Sequence, residues 1–259
     1  MSVSRVSLQA AYVLHHRPYR DTSVLLEVFT RDHGRVGLVA KGVRTSKSRT
    51  QGLLHPFRPL LISWAGRGEL VTLTSCEGAG PAGQIGGRLL MSGFYVNELL
   101  LRLLHRHDAH PALFEHYAAT LLALEDSMQE QRALRIFEKH LLHELGYALM
   151  LNHQADTGEP LAPERIYSYQ LEQGPRCYDE FRPQGIRVHG ASLLSLASEE
   201  LCDPESLRET KHLLRASLSL YLGDKPLQSR KLLSELRKTQ IQPQSGSINP
   251  YLASPDNIQ

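Results

Sequence analysis

The sequence predicts an α+β fold in which a small five-stranded β-barrel is followed by an all-helical part. Residues 6–80 contain five short runs rich in β-branched and apolar residues, separated by turns that contain Gly or Pro. From residue 87 onward, apolar residues recur instead at intervals of three and four, as on one face of a helix. A cluster of Gly, Ala and Pro at residues 78–83 separates the two patterns. We therefore expect one domain over residues 1–80 and a second over residues 81–240.

The strands are indicated by alternation and by the turns between them. Val36, Leu38 and Ala40 alternate with residues that face the other way, and Asp32-His33-Gly34 before them indicates a turn. Gly66-Arg67-Gly68 predicts a hairpin between the last two strands. The predicted strands cover residues 10–16, 22–30, 36–42, 57–66 and 69–78. Five short strands joined by Gly-rich turns fit a small antiparallel barrel.

A long basic segment begins just before the third strand and continues beyond it. Residues 31–58 hold seven Lys/Arg and a single acidic residue, and several Ser and Thr accompany the charges after Gly42. Guanidinium, ammonium and hydroxyl groups are the usual partners of phosphate oxygens, so we interpret the segment as binding a polyanion. A solvated loop without a partner is the alternative interpretation. The candidate DNA-binding residues here are Arg35, Lys41, Arg44, Lys47, Arg49 and Arg58.

A five-stranded barrel with a basic loop favours an OB-fold, a module that commonly binds single strands. Periodicity alone leaves an SH3-like barrel or a plain β-sandwich open. The barrel region also contains five aromatic residues, which we expect to pack in the core in preference to stacking on bases. They are Tyr12, Tyr19, Phe29, Phe57 and Trp64.

Helices are predicted over most of the remaining chain. Asp203 as N-cap, Pro204 at the first helical position and Gly223 as the stop define one of them most clearly. Residues 152–190 are irregular, with one candidate strand at residues 166–170, and the Pro- and Ser-rich tail 241–259 is expected to be disordered. The predicted helices cover residues 87–105, 111–124, 129–145, 192–198, 203–222 and 227–238.

Composition limits the class of protein. Residues 1–80 carry 11 basic and 5 acidic residues, whereas residues 81–259 carry 18 basic and 22 acidic residues. This asymmetry assigns the polyanion to the first part and leaves other partners to the second. The three cysteines form no CxxC pair, and no apolar run is long enough for a membrane span or a signal peptide. We therefore expect a cytoplasmic, nucleoid-associated protein with no membrane contact.

Several stretches in order resemble the bacterial recombination mediator family RecO. They are AYVLHHRPYRDTSVLLEVFTRDHGRVGLVAKGVR, LHPFRPL, FYVNELLLRLL, FEKHLLHELGY and YLGDKPLQSRKLL. The resemblance extends over nearly the whole chain. It implies an OB-fold followed by a helical domain, with binding and annealing of single-stranded DNA. It also implies cooperation with RecR in loading the strand-exchange recombinase, and docking of the acidic C-terminal tail of the single-stranded DNA-binding protein on the helical domain.

Cations in the predicted helices supply two further candidate sites. Annealing joins two single strands into double-stranded DNA, so it requires a second surface that faces DNA. For that surface we select Arg215, Lys225, Arg230 and Lys231. An acidic and apolar peptide tail requires an apolar pocket with a cationic rim. For that pocket we select Arg132, Arg135 and Phe137. Ordinary solvation of the cations and core packing of Phe137 are the alternative explanations.

Metal sites, cofactors and catalytic residues are not predicted. Some relatives carry a four-cysteine zinc site after the GY of the third helix, but here that segment offers only His153 and Cys177. Residues 105–110, HRHDAH, contain metal-ligand residue types, so a metal-dependent hydrolase is one alternative function. An RNA-binding OB protein of translation is another. No phosphate loop, nucleophile elbow or dinucleotide fingerprint occurs, and we expect no enzymatic activity.

Overall fold

The computed structural model describes residues 4–45, 48, 50–80, 85–232 and 235. Its first part is a closed five-stranded barrel with the strand order β1-β2-β3-β5-β4. Neighbouring strands are antiparallel except β3 and β5, which pair in parallel through residues 37–39 and 70–72. This topology confirms the predicted OB-fold barrel. The strands are β1 (Ser4–Tyr19), β2 (Ser23–Thr30), β3 (Gly34–Ala40), β4 (Leu60–Gly66) and β5 (Leu70–Gly78).

The barrel closes because β1 is long enough to pair on both sides. Residues 11–19 of β1 pair with β2, and residues 4–11 pair with β4. The pairing register shifts between Val13 and His15 and again between Val6 and Gln9. Such irregularities bend a strand and increase its twist, which allows one strand to serve both edges. The strand is therefore more than twice as long as the predicted run 10–16, and it includes Pro18.

The second part contains the expected helices together with a small sheet. The sheet has the strand order β7-β6-β8, and the candidate strand at residues 166–170 is its central member. Asp203 caps the last long helix by accepting a hydrogen bond from the Ser206 N–H at 2.7 Å, and Gly223 follows its end. The elements are α1 (Leu89–Leu103), α2 (Pro111–Ala123), α3 (Glu130–Glu144), β6 (Ile166–Gln170), β7 (Gly174–Cys177), β8 (Ile186–His189), α4 (Gly190–Ser198) and α5 (Pro204–Leu222).

Two of the predicted segments reach beyond what the structure describes. Residues 228–232 are helical, which agrees with the start of the helix predicted over 227–238. Most of the remainder of that helix, and the whole tail 241–259, lie outside the described residues.

An aromatic cluster joins the barrel to the helices. Tyr12 of β1 and Phe29 of β2 pack against Phe114 and Tyr117 of α2, with ring centroids 5.1–6.0 Å apart. The Tyr117 hydroxyl donates to Asn97 of α1 at 2.6 Å, and the Asn97 amide donates to a β1 carbonyl at 2.9 Å. Aromatic pairs of this kind contribute about 0.5–1.5 kcal/mol each beyond the area they bury. One hydrophobic cluster therefore spans both parts of the chain, and a second cluster fills the interior of the barrel.

Residues 105–110, which follow α1, dock on the edge of β3. The His107 N–H donates to the Arg35 carbonyl at 3.0 Å, and the Arg106 guanidinium bonds Glu27 of β2 and lies 3.2 Å from Glu69. Gly34, at the start of β3, has a φ of +62° and lies directly against the backbone of this loop. A Cβ at position 34 would be 1.8 Å from the Asp108 carbonyl oxygen. The docking therefore requires glycine there for space as well as for backbone conformation.

This close approach makes Gly34→Ala a test of the docking. We expect a loss of about 3 kcal/mol or more in the free energy of unfolding, because the backbones must separate in addition to the strain at positive φ. Gly42→Ala is the matched control, since Gly42 has a φ of +68° and a Cβ added there would meet no described atom within 4 Å. That variant is expected to lose only about 1 kcal/mol. Urea unfolding measures both, and equal losses would show that the 105–110 loop does not constrain β3.

Candidate functional site

Two of the predicted DNA contacts lie together where β3 ends. Lys41 and Arg44 are exposed, while Val43 between them is buried in the barrel core. The Arg44 N–H donates to the Thr22 carbonyl at 2.9 Å, and its Nη1 donates to the Arg20 carbonyl at 3.2 Å. These bonds hold the segment after β3 against the connection between β1 and β2. Lys47 and Arg49, which continue the predicted site, lie outside the described residues.

Arg35 and Arg58 occupy less exposed positions. The Arg35 guanidinium donates to the Leu101 carbonyl of α1 and lies 3.8 Å from Glu27, so it sits between the barrel and the helices. Arg58 is half-buried, and its Nη1 donates to the Gly52 carbonyl at 3.4 Å. Both geometries favour a structural role, in which the guanidinium fixes backbone segments, over a contact with DNA.

A cavity of about 320 Å³ opens in the helical part between α1, α3 and α5. Its lining combines apolar surface, from Met91, Tyr95 and Leu134, with charged groups. Among the described residues that line it, four are basic and two are acidic. The basic ones are Arg135, Lys211, Arg215 and Arg230, and the acidic ones are Glu130 and Glu138.

Arg135 is the most deeply placed cation of this cavity. Its side chain is 3% exposed, and its Nη2 donates to Glu138 at 2.7 Å. Its Nε and Nη1 are buried and have no hydrogen-bond partner among the described residues. The same Glu138 oxygen accepts the Tyr95 hydroxyl at 2.6 Å, and burial together with that carboxylate raises the pKa of Tyr95. A guanidinium that cannot lose its proton therefore retains unused donors at the base of the cavity.

The segment after α5 brings Arg230 to the rim. Glu98 of α1 accepts hydrogen bonds from the N–H groups of Gln228 and Ser229, both at 2.9 Å, and so caps the helical turn that begins there. Burial alone would raise the pKa of Glu98, but the bonds from Ser229 and Gln228 outweigh it and lower that pKa. The Arg230 guanidinium lies 5.1 Å from the Tyr95 ring centroid and donates to its hydroxyl at 3.0 Å. Arg230 is thus held beside the cavity.

The structure places together, in one cavity, cations that the sequence analysis assigns to different partners. Arg135, predicted for protein docking, lies in the same cavity as Arg215 and Arg230, which are predicted for DNA. Lys225 and Lys231 are exposed on the adjoining segment. Sequence reasoning selects three of the twelve described lining residues and misses nine, although the spacing of the α3 residues could have revealed that face. The nine are Met91, Ser92, Tyr95, Glu130, Gln131, Leu134, Glu138, Lys211 and Ser229, and the α3 residues of the lining are Glu130, Gln131, Leu134, Arg135 and Glu138.

Arg132 and Phe137 do not line this cavity. Arg132 is exposed, and its Nε donates to the Glu199 carbonyl at the end of α4, at 2.9 Å. Phe137 is fully buried in the shared core, where its ring faces Tyr117 at 6.4 Å. The geometry thus favours a packing role for Phe137 and a helix-end contact for Arg132.

Residues 105–110 do not bring their imidazoles together. His110 lies between Asp108, at 3.4 Å from its Nε2, and Glu144, at 3.1 Å from its Nδ1. In the part of the chain that the structure describes, the one grouping with metal-ligand spacing is His189, Glu205 and Glu209. There Glu209 already accepts the His189 N–H at 2.9 Å and the Ser192 hydroxyl at 2.7 Å, which caps α4. The geometry therefore lends no support to a hydrolase built on residues 105–110.

Among the described helices, none combines the length and the apolar character that a membrane span requires.

Comparison with known proteins agrees with this architecture. A family model described as "Recombination protein O N terminal" matches residues 2–82, and one described as "Recombination protein O C terminal" matches residues 87–231. The DNA repair protein RecO of Nitrosococcus oceani is 54% identical over 90% of this chain and 95% of its own length. RecO of Alkalilimnicola ehrlichii is 48% identical over 92% and 95%, and that of Dechloromonas aromatica is 45% identical over 91% and 98%. The chain belongs to the RecO family of DNA repair proteins.

Proposed function

We propose that this protein is a recombination mediator that binds and anneals single-stranded DNA through its barrel and docks the acidic tail of the single-stranded DNA-binding protein in the α1–α3–α5 cavity. The observation that carries the proposal is the cavity itself, in which a buried guanidinium with unused donors lies beneath an apolar wall and a cationic rim.

The cavity suits a peptide that is both acidic and apolar. Carboxylates would meet Arg215 and Arg230 at the rim, and the unpaired Nε and Nη1 of Arg135 would donate to one carboxylate deeper in the cavity. Met91 and Leu134 would cover the apolar side chains of the same peptide.

The two acidic lining groups are already bonded within the protein. Glu130 accepts the Ser92 hydroxyl at 2.6 Å, and Glu138 accepts hydrogen bonds from Tyr95 and Arg135. Glu130 also pairs with Arg88 at 3.0 Å. Arg88 and Arg135 offset these two charges, although Glu138 Oε2 is buried and has no hydrogen-bond partner among the described residues, and the four cations of the lining outnumber its two acids.

The DNA-binding part of the proposal depends on the exposed cations that follow β3. Lys41 and Arg44 are solvent-accessible at one end of an OB-fold barrel, and Arg44 is anchored through backbone carbonyls that leave part of its guanidinium for a phosphate. The sequence continues the positive charge through Lys47 and Arg49. Contact with double-stranded DNA after annealing would use the same sequence-independent attraction to phosphates.

The remaining steps are inferred from membership of the family. We infer that the protein cooperates with RecR and helps to load the strand-exchange recombinase onto coated single strands. Docking the coating protein through its tail would bring the barrel to the DNA that the coating protein occupies, by raising the effective local concentration.

Replacing Lys41, Arg44, Lys47 and Arg49 together by Gln tests the DNA site. We expect the affinity for a labelled single-stranded oligonucleotide to fall. We also expect the slope of log affinity against log salt concentration to become shallower by about 2–3, since each phosphate contact on a single strand contributes about 0.7. Fluorescence anisotropy over a salt series measures both quantities. An RNA oligomer of the same length, used as competitor, distinguishes DNA binding from an RNA-binding role.

The matched control for that variant replaces four exposed arginines of the helical part by Gln. They are Arg165, Arg182, Arg187 and Arg208. This control lowers the net charge by the same amount but leaves the barrel unchanged. It should therefore reduce affinity for the oligonucleotide far less. If both quadruple variants bind the oligonucleotide like the wild type, the assignment of the DNA-binding site to the barrel is refuted.

Replacing Arg215 and Arg230 by Ala tests the cavity. We expect a synthetic peptide with the sequence of the acidic tail to bind about tenfold more weakly or worse, because both rim charges are lost. Fluorescence polarisation of the labelled peptide measures this affinity. Arg208→Ala is the control, because Arg208 is exposed on the same helix and pairs with Glu205 at 3.2 Å. Unchanged peptide affinity in the double variant would refute docking in this cavity.

A further inference from the structure

A second cavity, of about 300 Å³, lies on the barrel beside the proposed DNA contacts. It is bounded by the late part of β1, the start of β2 and the segment that follows β3. Val24, Val43 and Leu54 form its floor, and all three side chains are buried. Its volume is at the lower end of the range for sites that bind small ligands, about 300–1,000 Å³. The site therefore has an apolar floor and room for one small planar group.

Two histidines form the walls. His16 of β1 and His55, from the segment before β4, are both exposed, and their ring centroids lie 6.4 Å apart with the planes at 76°. Burial lowers the pKa of His16, and the neighbouring His55 and His15 lower it further. The His16 ring is consequently neutral at neutral pH, so it presents a planar face whose contact with an aromatic ligand requires no desolvation of a charge.

The cavity also has polar groups at its edge. Arg44 lines it, and the bond from its Nη1 to the Arg20 carbonyl holds the side chain over the β1–β2 connection. Gln51 contributes an amide, which both donates and accepts hydrogen bonds. Among the described residues that line this cavity, none carries a carboxylate. A ligand here would therefore combine a flat, uncharged ring with an adjoining anion.

We propose that this cavity is a nucleobase subsite, in which one unpaired base of a bound single strand stacks on His16, has His55 at its edge, and places its phosphate against Arg44. The inference rests on the proposed DNA binding and specifies it further. A phosphate alone would not use the apolar floor of the cavity. A base would bury one face there, and the Gln51 amide could pair with the edge of any of the four bases. Stacking of this kind tolerates every sequence, as an annealing protein requires.

The test compares two fluorescein-labelled probes of equal length, an oligothymidylate and an abasic oligonucleotide with the same phosphates. Full-length protein is titrated with each at one salt concentration. We expect the double variant His16→Ala/His55→Ala to bind the oligothymidylate about five- to tenfold more weakly, and the abasic probe as the wild type does, because alanine removes stacking and leaves the phosphate contacts.

Two further variants complete the design. His16→Phe/His55→Phe keeps flat rings without imidazole nitrogens and should restore affinity for the oligothymidylate. His212→Ala removes an exposed histidine of α5 and should leave affinity for both probes unchanged.

The outcomes separate the two proposals. If the wild type binds neither probe, the proposed DNA binding fails and the subsite fails with it. If the wild type binds both probes but the alanine variant shows no loss, or an equal loss on both, DNA binding stands and the nucleobase subsite is refuted.

Discussion

The packing of Tyr12 and Phe29 against Phe114 and Tyr117 is the contact on which the arrangement of this protein depends. These rings come from the barrel and from α2, and they join the outer face of β1 and β2 to the core of the helices, while a separate hydrophobic cluster fills the barrel interior. Docking of residues 105–110 on β3 adds polar contacts beside them. Because two interfaces of different chemistry hold the same two parts, Lys41, Arg44 and the helical cavity occupy defined positions in a single packed body.

The arginines of this chain divide into groups according to what surrounds them. Arg35 and Arg106 are partly buried and bond backbone and carboxylate groups at the junction of barrel and helices. A guanidinium stays charged at every relevant pH, so a buried guanidinium needs hydrogen-bond acceptors around it. It therefore fixes the positions of the carbonyl and carboxylate groups that accept its hydrogen bonds. Arg135 is buried with only part of its donors satisfied within the described residues, which is the arrangement expected where an external anion completes the set. Arg44 remains on the surface beside an apolar cavity.

Most of the fold could be predicted because its signals are local. Alternation along β3, the Asp203 cap and the Gly223 stop each depend on a few neighbouring residues, and the structure contains all three. The role of Arg35 could not be predicted, since it depends on Leu101, 66 positions away in the sequence. Strands β7 and β8 have four residues each, too few for a periodic signal. The cavity combines residues from α1, α3 and α5. Only the tertiary structure therefore reveals that Arg135 shares one site with Arg215 and Arg230, which lie about 80 and 95 positions later in the sequence.

The measurement that most directly tests whether DNA binding and tail docking act together is the annealing rate of complementary oligonucleotides coated with the cognate single-stranded DNA-binding protein. Fluorescence energy transfer between labelled strands follows annealing with the intact coating protein and with a form that lacks the acidic tail. We predict that this protein accelerates annealing of strands coated by the intact form and loses that acceleration when the tail is absent, while it still accelerates annealing of uncoated strands. Equal acceleration with and without the tail would contradict the coupling of the two sites.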